Sequence, residues 1–535
     1  MNSMIYNPVE EFDSKFKDLH LENTKKYIEE LVNRSGVNVE ENRKTVKEYN
    51  ELKENLPKIK RKFNLWRVLR VIMIITLILI PLVIIKITPK IKALRSEIQE
   101  IDQKMKDLFS LAQLQMAPLN SLFTDRDALN IIETTIPMLS FASGFLAEQE
   151  TNMIVNYDFN NNTDSEQSTV DVLAGHYNEN PFFFENRLIH KMGVEIYHGY
   201  KTIHWTETYR DSDGKTRTRT RSETLHATVT KPKPFYHTQS LLNYCAQGGP
   251  ELSFTRDATH LEKKSEKEID KYVKKGEKKL KKMTDKAIKN NQDFVSMSNS
   301  DFEVLFDALD RNNEVQFRTL FTPLAQTNMV DLIRSQTGYG DDFNFIKQNR
   351  TNKIITQHSQ GRAITLLPSM YFSHSFDVIK EKFVNKNTDY FKSMYFDFAP
   401  LWAIPLYQER PVHSLQPIPE YSRKYSYKEC EALSNKIRPE HVVHPRTKTN
   451  AIIKSNFIAS KNGVDEICVF AYSYDIIPQI DFVPVHGGDG RWHSVPVPWD
   501  DYIPLEAANT FFVAPVESVQ NEKIMAQHNN ICIFN

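Results

Sequence analysis

One uninterrupted apolar run stands out from the pattern of polar and apolar positions along this chain. Residues Val71–Ile85 read VIMIITLILIPLVII without a single charge, although the mean hydropathy of the chain is −0.49. A helix that crosses a bilayer core of about 30 Å needs roughly 20 residues. The run is long enough only if it extends over residues 65–88, with Arg70 and Lys86 directing their charges to the head groups. We therefore predict one transmembrane helix over residues 65–88.

The basic residues around this run predict its orientation. Six Lys or Arg residues lie between Lys58 and Arg70, and four lie between Lys86 and Arg95. Since cytoplasmic flanks carry the excess of positive charge, we expect a single-pass protein of the cell membrane with a cytoplasmic N-terminus. The short run leaves another arrangement open, in which it dips into one leaflet and both polar parts stay in the cytoplasm.

Helical patterns lie on both sides of the predicted span. Residues 1–64 form a helical N-terminal segment with a break at Ser35–Asn38. Residues 89–118 carry apolar side chains at the a and d spacing of a heptad, which predicts a short coiled-coil-like stalk. Those side chains are Ile91, Leu94, Ile98, Ile101, Met105 and Leu108. Two interpretations remain open: a stalk that forms a homo-oligomer, and a helix that packs on its own domain.

Strand and helix patterns are mixed in the remaining chain, which predicts an α+β body with an antiparallel sheet. Residues 119–255 form an α+β region, residues 256–292 form a charged helix, and residues 293–535 form a second α+β region. The sequence leaves open whether the two α+β regions are one domain. The charged helix has an apolar stripe, so it either docks on the body with its lysines in solvent or lies on an anionic membrane.

A long β-hairpin over residues 196–230 is the clearest local prediction. The dipeptide Asp213-Gly214 between two strand patterns is a strong hairpin-turn signal. Near its base, Leu225 and Ala227 alternate with polar residues, so one face there is buried.

The tip of this hairpin carries the residues that we predict to bind a partner. Arg217, Arg219 and Arg221 alternate with threonines, too polar a pattern for a core. They would contact a protein or an anionic surface. In the alternative interpretation the ribbon is solvated and its arginines pair with Glu207 and Glu223 across the strands.

Composition excludes some functional classes. The 68 basic and 68 acidic residues leave no net charge, so we expect no nucleic-acid partner. Glycine accounts for 16 of 535 residues, which disfavours folds that bind nucleotide cofactors on glycine-rich loops. The four cysteines are scattered, and buried free thiols are expected. We predict no cofactor.

Motifs of known catalytic chemistry are missing from the sequence. Gly214-Lys215-Thr216 ends like a phosphate-binding loop, but position 209 is Tyr where the motif requires Gly. One glycine-rich loop holds His486, Asp489 and His493, which are candidate ligands of a metal or candidate acid–base groups. We assign neither a catalytic residue nor a metal site.

Several stretches of the body together resemble a family of uncharacterised membrane-anchored bacterial proteins from low-GC Gram-positive lineages. These stretches are AGHYNENPF (174–182), the hairpin segment 197–236, GPELSF (249–254), LFDALDRNNEVQFRTLFTPLAQ (305–326), GYGDDFNFIK (338–347) and HGGDGRWHSVPVPW (486–499). The resemblance implies a protein of the bacterial envelope or cytoplasmic membrane. The family has no established activity, so the resemblance assigns no catalytic residue.

The sequence thus predicts a membrane-anchored bacterial protein that acts by binding or scaffolding. The competing hypothesis is a membrane-tethered hydrolase, possibly metal-dependent, that uses the loop of residues 486–493. The two hypotheses differ in geometry. A hydrolase requires His486 and His493 to converge with an acid in a pocket, whereas a binding protein does not.

Overall fold

The computed structural model describes residues 4–75, 83–160, 164–289, 297–411, 416–417, 425–461, 464–515 and 531–534. The chain forms two compact units. The first contains Met1–Leu139 and Thr365–Phe396, and the second contains Ser140–Ile364 and Asp397–Asn535. Helices and antiparallel strands are both abundant, so the predicted α+β class is confirmed.

The elements have the following bounds. The α-helices are α1 (Pro8–Glu11), α2 (Lys17–Ser35), α3 (Val39–Ile75), α4 (Thr88–Asn120), α5 (Asp127–Thr135), α6 (Ala147–Tyr157), α7 (Glu266–Lys289), α8 (Ser300–Phe306), α9 (Glu314–Leu320), α10 (Pro323–Arg334), α11 (Phe376–Trp402), α12 (Tyr427–Lys436) and α13 (Pro439–Val442). The strands are β1 (Leu139–Phe141), β2 (Gln167–Tyr177), β3 (Asn180–Arg210), β4 (Thr216–Cys245), β5 (Ser253–Arg256), β6 (Phe343–Gln348), β7 (Thr351–Thr356), β8 (Ile452–Lys461), β9 (Val464–His486), β10 (Trp492–Pro515) and β11 (Ile531–Phe534).

The first unit begins with helices whose ends follow from local chemistry. Gly36 caps the end of α2 in the left-handed conformation, with φ 66°, which favours glycine because it has no Cβ. The side chain of Asn38 then accepts a hydrogen bond from the backbone N of Glu41 (3.1 Å) at the start of α3. The predicted break at Ser35–Asn38 is confirmed.

Helices α3 and α4 of the first unit lie side by side in opposite directions. Glu48 of α3 pairs with Lys104 of α4 at 2.7 Å, while Val83, Ile87 and Ile91 pack against residues nearer the end of α3. The predicted heptad positions of α4 are buried or half-buried. This geometry fits a helix that packs on its own chain, and the homo-oligomer stays a prediction.

The predicted membrane span lies only partly within the described residues. In those residues, no helix combines the length and the apolar character needed to cross a membrane. Residues 76–82, in the middle of the apolar run, lie outside them. Val71 and Ile72, at the start of the run, are 58% and 54% exposed on α3. The transmembrane helix over residues 65–88 therefore stays a prediction.

Aromatic side chains form much of the core of the first unit. The ring of Phe12 lies 5.0 Å from that of Tyr395 on α11, and His20 stacks on Phe391 with ring centroids 3.9 Å apart. Burial lowers the pKa of His20 to about 3, because the charged ring would lose its hydration. His20 is thus a neutral core residue.

Two sheets form the framework of the second unit. The seven-stranded sheet has the order β1-β2-β3-β4-β7-β6-β5, and the four-stranded sheet has the order β11-β10-β9-β8. Strands β3 and β4 pair along their whole length up to Arg210 and Thr216. Gly214 occupies the turn with φ 74°. The predicted hairpin is therefore present, and it is longer than residues 196–230.

The charged helix α7 docks on the second unit through its apolar stripe. Ile269, Val273 and Leu280 are buried. At Gly276 the helix comes so close to Val304 of α8 that an added Cβ would lie 2.8 Å from a Val304 methyl group. The stripe is therefore used in packing, in agreement with the docked interpretation of this helix.

A buried polar network joins the loop after β7 to α11 within the second unit. His358 lies with Nδ1 2.6 Å from Asp342 and with Nε2 3.4 Å from Asp397. Tyr339 stacks on its ring, and Arg362 pairs with Asp397 at 2.5 Å. Burial alone would lower the pKa of His358, but hydrogen bonds and charges of the two aspartates outweigh burial and raise it to about 9.

This network predicts a pH-dependent contribution of His358 to stability. The folded pKa of about 9 exceeds the ordinary value of about 6.5, so the contribution is complete below pH 6.5 and is lost as the pH rises through 9. We expect His358→Gln to destabilise the second unit by about 2–3 kcal/mol near pH 6 and by much less at pH 10. Thermal unfolding of both proteins across this pH range measures the difference.

The exposed His441 provides the control for this experiment. Its side chain is 51% exposed, so His441→Gln should leave the unfolding profile unchanged at every pH. A constant effect of His358→Gln from pH 6 to pH 10 would contradict the assignment of the charge to His358.

Candidate functional site

Two long β-ribbons pack face to face in the second unit. The first ribbon is the β3–β4 hairpin, and the second is the β9–β10 hairpin. Their shared core contains Ile203, Leu225 and Ala227 from the first ribbon and Val495 and Val497 from the second. Side chains alternate between the two faces of a strand, so each ribbon buries one face against the other and leaves its outer face in solvent.

Glycine allows the closest approach of the two ribbons. A Cβ at Gly199 would lie 2.8 Å from the Cα of Val497 and closer still to the backbone oxygen of Pro496. Any larger residue at this position would push the ribbons apart. The residue type at 199 is thus dictated by packing between ribbons.

The tip of the first ribbon extends past the turn of the second. The backbone N of Gly488, in the β9–β10 turn, donates to Glu223 (2.6 Å), and every residue from Ser212 to Thr224 is exposed. Arg217, Arg219 and Arg221 face the same side as the shared core, because Arg221 pairs with Trp205. The packing face of the first ribbon is therefore uncovered at its tip.

The predicted arginines form ion pairs along this uncovered face. Arg219 and Arg221 both reach Glu207, at 3.0 Å and 2.6 Å, and Arg217 pairs with Asp211 at 2.7 Å. Their side chains remain 45% or more exposed. Glu223 lies on the same face, so three arginines share it with three carboxylates, and such exposed pairs hold the side chains only weakly.

The outer face of the second ribbon carries an exposed apolar stripe. Ile480, Phe482 and Trp492 are 57%, 68% and 71% exposed. Strand register places all three on one face, because Trp492 pairs with His486 and even-numbered positions of β9 face outward. We call these three residues the outer stripe. Contiguous exposed apolar side chains of this kind mark interaction surfaces.

The glycine-rich loop predicted as a metal or acid–base site is the turn of the second ribbon. His493 lies 2.9 Å from Asp489, and this hydrogen bond lowers the pKa of Asp489. His486 packs edge-on against Trp492. Because Trp492 and His493 are adjacent in β10, they point to opposite faces, and His486 is therefore on the face away from His493.

The structure thus brings together only two of the three candidate side chains of this loop. Asp489 and His493 form a pair, and His486 does not join them. Within the described part of the chain, no group of three or more His, Cys, Asp or Glu side chains could hold a metal ion. The catalytic and metal roles of these three residues stay a hypothesis.

A cleft of about 720 Å³ lies between the bases of the two ribbons. Strands β3 and β4, strands β8, β9 and β10, helix α12 and the turn before β2 all contribute to its lining. Half-exposed aromatic rings form much of its wall, and clefts of this size hold small ligands (roughly 300–1,000 Å³). The aromatic residues are Tyr236, Tyr427, Phe470, Tyr472 and Tyr474.

His190 is a deeply buried ionisable group of the cleft. Its side chain is 9% exposed, and Nδ1 contacts the carboxylate of Glu166. A second link joins the same residues, because the backbone N of His190 donates to the backbone oxygen of Glu166 at 2.8 Å. Among the described residues, Nε2 of His190 and Oγ of Ser455 are buried without a hydrogen-bond partner. Such atoms are uncommon in folded proteins and call for an explanation.

The charges of the cleft are mostly negative. Glu166, Glu431 and Glu506 line it together with a single lysine, Lys454, which pairs with Glu431 at 3.1 Å. Burial and then the charge of Glu166 raise the pKa of Tyr474. An excess of carboxylates disfavours anionic ligands.

Sequence patterns did not single out this cleft. Its lining comes from segments as distant as residues 165 and 506, and no two of its polar groups form a motif in the chain. His190 lies in a strand next to Lys191 and Met192, where no local signal separates it from a solvated histidine.

Comparison with protein-family models, with curated proteins and with solved structures finds no match for this chain. The resemblance of the body to a bacterial membrane-protein family therefore stays an expectation, and the geometry above carries the functional argument.

The close contact at Gly199 predicts a specific loss of ribbon packing. Gly199→Val should destabilise the second unit by about 1–3 kcal/mol, because the new side chain collides with Pro496 and Val497. We expect a lower unfolding temperature and faster amide hydrogen exchange in β9 and β10. The control is Tyr200→Val, one residue along on the outer face, where Tyr200 is 63% exposed. Equal effects of the two changes would contradict this packing.

Proposed function

We propose that this chain is a membrane-anchored bacterial protein that acts by binding or scaffolding rather than by catalysis. The observation that carries the proposal is the uncovered tip of the first ribbon. Around Ile203 and Leu225 the packing face is covered by Val495 and Val497 of the second ribbon. Beyond Glu223, toward the turn, the same face is exposed. A partner that contacts Arg217, Arg219 and Arg221 would bury the part of this face that the second ribbon leaves exposed.

The chemistry of the tip suits an acidic protein surface or another anionic surface. Arginine binds carboxylates and phosphates through two donors at once, and the ion pairs to Glu207 and Asp211 are exposed enough to exchange for a partner. The outer stripe of Ile480, Phe482 and Trp492 supplies a second, apolar contact surface. Aromatic and arginine side chains of this kind dominate protein–protein binding energies.

The proposed anchor is the apolar run Val71–Ile85. Sequence rules favour a single pass with a cytoplasmic N-terminus. The antiparallel packing of α3 and α4 supports instead the arrangement in which the run enters and leaves the membrane on one side. The lipid bilayer is the partner in both arrangements, and an experiment must decide between them.

The hydrolase alternative has less support. The pair of Asp489 and His493 is one element of acid–base chemistry, but His486 lies on the opposite face of the ribbon. A metal-dependent hydrolase would need further ligands close to this pair.

The anchor is tested by membrane extraction. We expect the full chain to remain in the membrane pellet at alkaline pH, and we expect Ile75→Asp with Leu79→Asp to release it, because two charges in the bilayer core cost several kcal/mol. The control is Val37→Asp with Val39→Asp, outside the run. Retention of the first double variant would contradict the anchor.

Protease accessibility in cells that produce the full chain decides the topology. In protoplasts, a protease added outside should digest the body if the chain passes through the membrane once. Protection of both the body and the N-terminal helices until lysis would favour the one-sided arrangement.

The binding proposal is tested by photo-crosslinking in intact cells. A photo-reactive phenylalanine at position 219 or 482 should give a discrete adduct above the 62.3 kDa chain, and one at position 202, on the outer face of the first ribbon, should not. Charge reversal at Arg217 and Arg221 should remove the adduct formed from position 219, because the partner loses its cationic contacts. An adduct of twice the chain mass would identify a second copy as the partner. Equal adducts from positions 202 and 219 would contradict the proposal.

A further inference from the structure

The cleft between the ribbon bases contains buried polar atoms that the protein itself leaves without partners. His190 and Ser455 both line the cleft, and Nε2 of His190 and Oγ of Ser455 are buried without a hydrogen bond within the described residues. The His190 side chain is nine-tenths buried and the Ser455 residue is 3% exposed. A buried polar atom without a partner destabilises the folded chain, so a ligand that supplies the missing bond would bind favourably.

The partner of Nδ1 determines what His190 can recognise. An ionised carboxylate only accepts hydrogen bonds, so Glu166 holds the hydrogen of His190 on Nδ1. In the neutral ring, Nε2 then carries a lone pair and accepts a hydrogen bond. A ligand that binds the neutral ring would therefore bring an N–H or O–H donor to this atom.

Charge narrows the class of ligand further. Three glutamates and one lysine line the cleft, and the lysine is already paired with Glu431. An anionic ligand would meet Glu166 and Glu506 without a free cation to balance them. A cationic ligand would instead be attracted by the same carboxylates.

The aromatic wall of the cleft also favours a cationic ligand. The rings of Tyr236 and Tyr474 lie 5.2 Å and 5.6 Å from that of His190, so a donor that reaches Nε2 would be close to both. The faces of tyrosine rings attract ammonium and guanidinium groups, and the attraction grows as these groups lose water. The alkyl part of such a ligand would pack on Phe470.

We propose that this cleft is a binding site for an organic cation, a small molecule with an ammonium or guanidinium group on an alkyl chain. The cationic group donates to Nε2 of His190 and is balanced by Glu166 and Glu506. This site is separate from the tip of the first ribbon, and its occupation does not depend on the proposed function.

Calorimetric titration of the full chain in a neutral detergent tests the proposal. The probes are agmatine, which carries a guanidinium and an ammonium group, the neutral 1,5-pentanediol and the anionic glutarate. We expect agmatine to bind with a Kd below about 1 mM, and the other two at least tenfold more weakly, at about 150 mM salt where long-range attraction is screened.

Two variants locate the binding within the cleft. Glu166→Gln and Glu506→Gln each remove a balancing charge, and each should raise the Kd for agmatine by about threefold to tenfold. Glu166 is 55% exposed, so its change leaves folding intact. Asp213→Asn, an exposed carboxylate of the β3–β4 turn, should bind agmatine like the wild type.

Three results would overturn the proposal. The first is no heat from agmatine at millimolar concentrations on the wild-type chain. The second is binding of 1,5-pentanediol as tight as that of agmatine, which would indicate a site for neutral polyols. The third is equal weakening by Asp213→Asn and Glu166→Gln, which would indicate attraction by net charge alone.

Discussion

A two-stranded ribbon is marginally stable in water unless one of its faces is buried, and this constraint governs the second unit. The β3–β4 and β9–β10 ribbons are each more than twenty residues long per strand, and each uses the other as its missing layer. Ile203, Leu225, Val495 and Val497 form the contact. Gly199 lets the backbones approach closely. Without this contact, the stretches of the two ribbons around Ile203 and Val497 would have no buried face.

The two ribbons overlap over only part of their length. The tip of the first ribbon and the cleft lined by His190 lie at the two ends of the overlap. At one end, the first ribbon continues beyond the turn of the second, which exposes an arginine-rich packing face around Arg219. At the other end, their bases enclose a cleft with His190 at its wall. Both functional proposals therefore depend on the face-to-face packing of the two ribbons, one at each end of it.

The histidines of this chain show how strongly environment decides chemical role. His20 is neutral because burial lowers its pKa, whereas His358, also buried, is held positive between two aspartates. His493 pairs with Asp489 in a turn, and His190 presents one nitrogen to a carboxylate and leaves the other without a partner. The sequence alone does not separate these four histidines, and only their neighbours in the folded chain distinguish them.

Local chemistry allowed much of the fold to be predicted. Asp213-Gly214 fixed the turn of the first ribbon, and Gly36 and Asn38 separated α2 from α3. Each of these signals acts over a few residues, so the sequence contains it in full. The apolar run Val71–Ile85 is likewise a property of sequence, and its membrane role rests on the sequence alone.

Tertiary structure decided what these elements do together. The glycine-rich loop grouped His486, Asp489 and His493 by proximity in the chain, and the strand register then separated His486 from the other two. The cleft joined Glu166, His190 and Ser455, which no spacing in the sequence relates. Register and long-range packing depend on the sum of many weak contacts between distant residues, so short sequence patterns determined the elements of this protein and only the folded chain determined its sites.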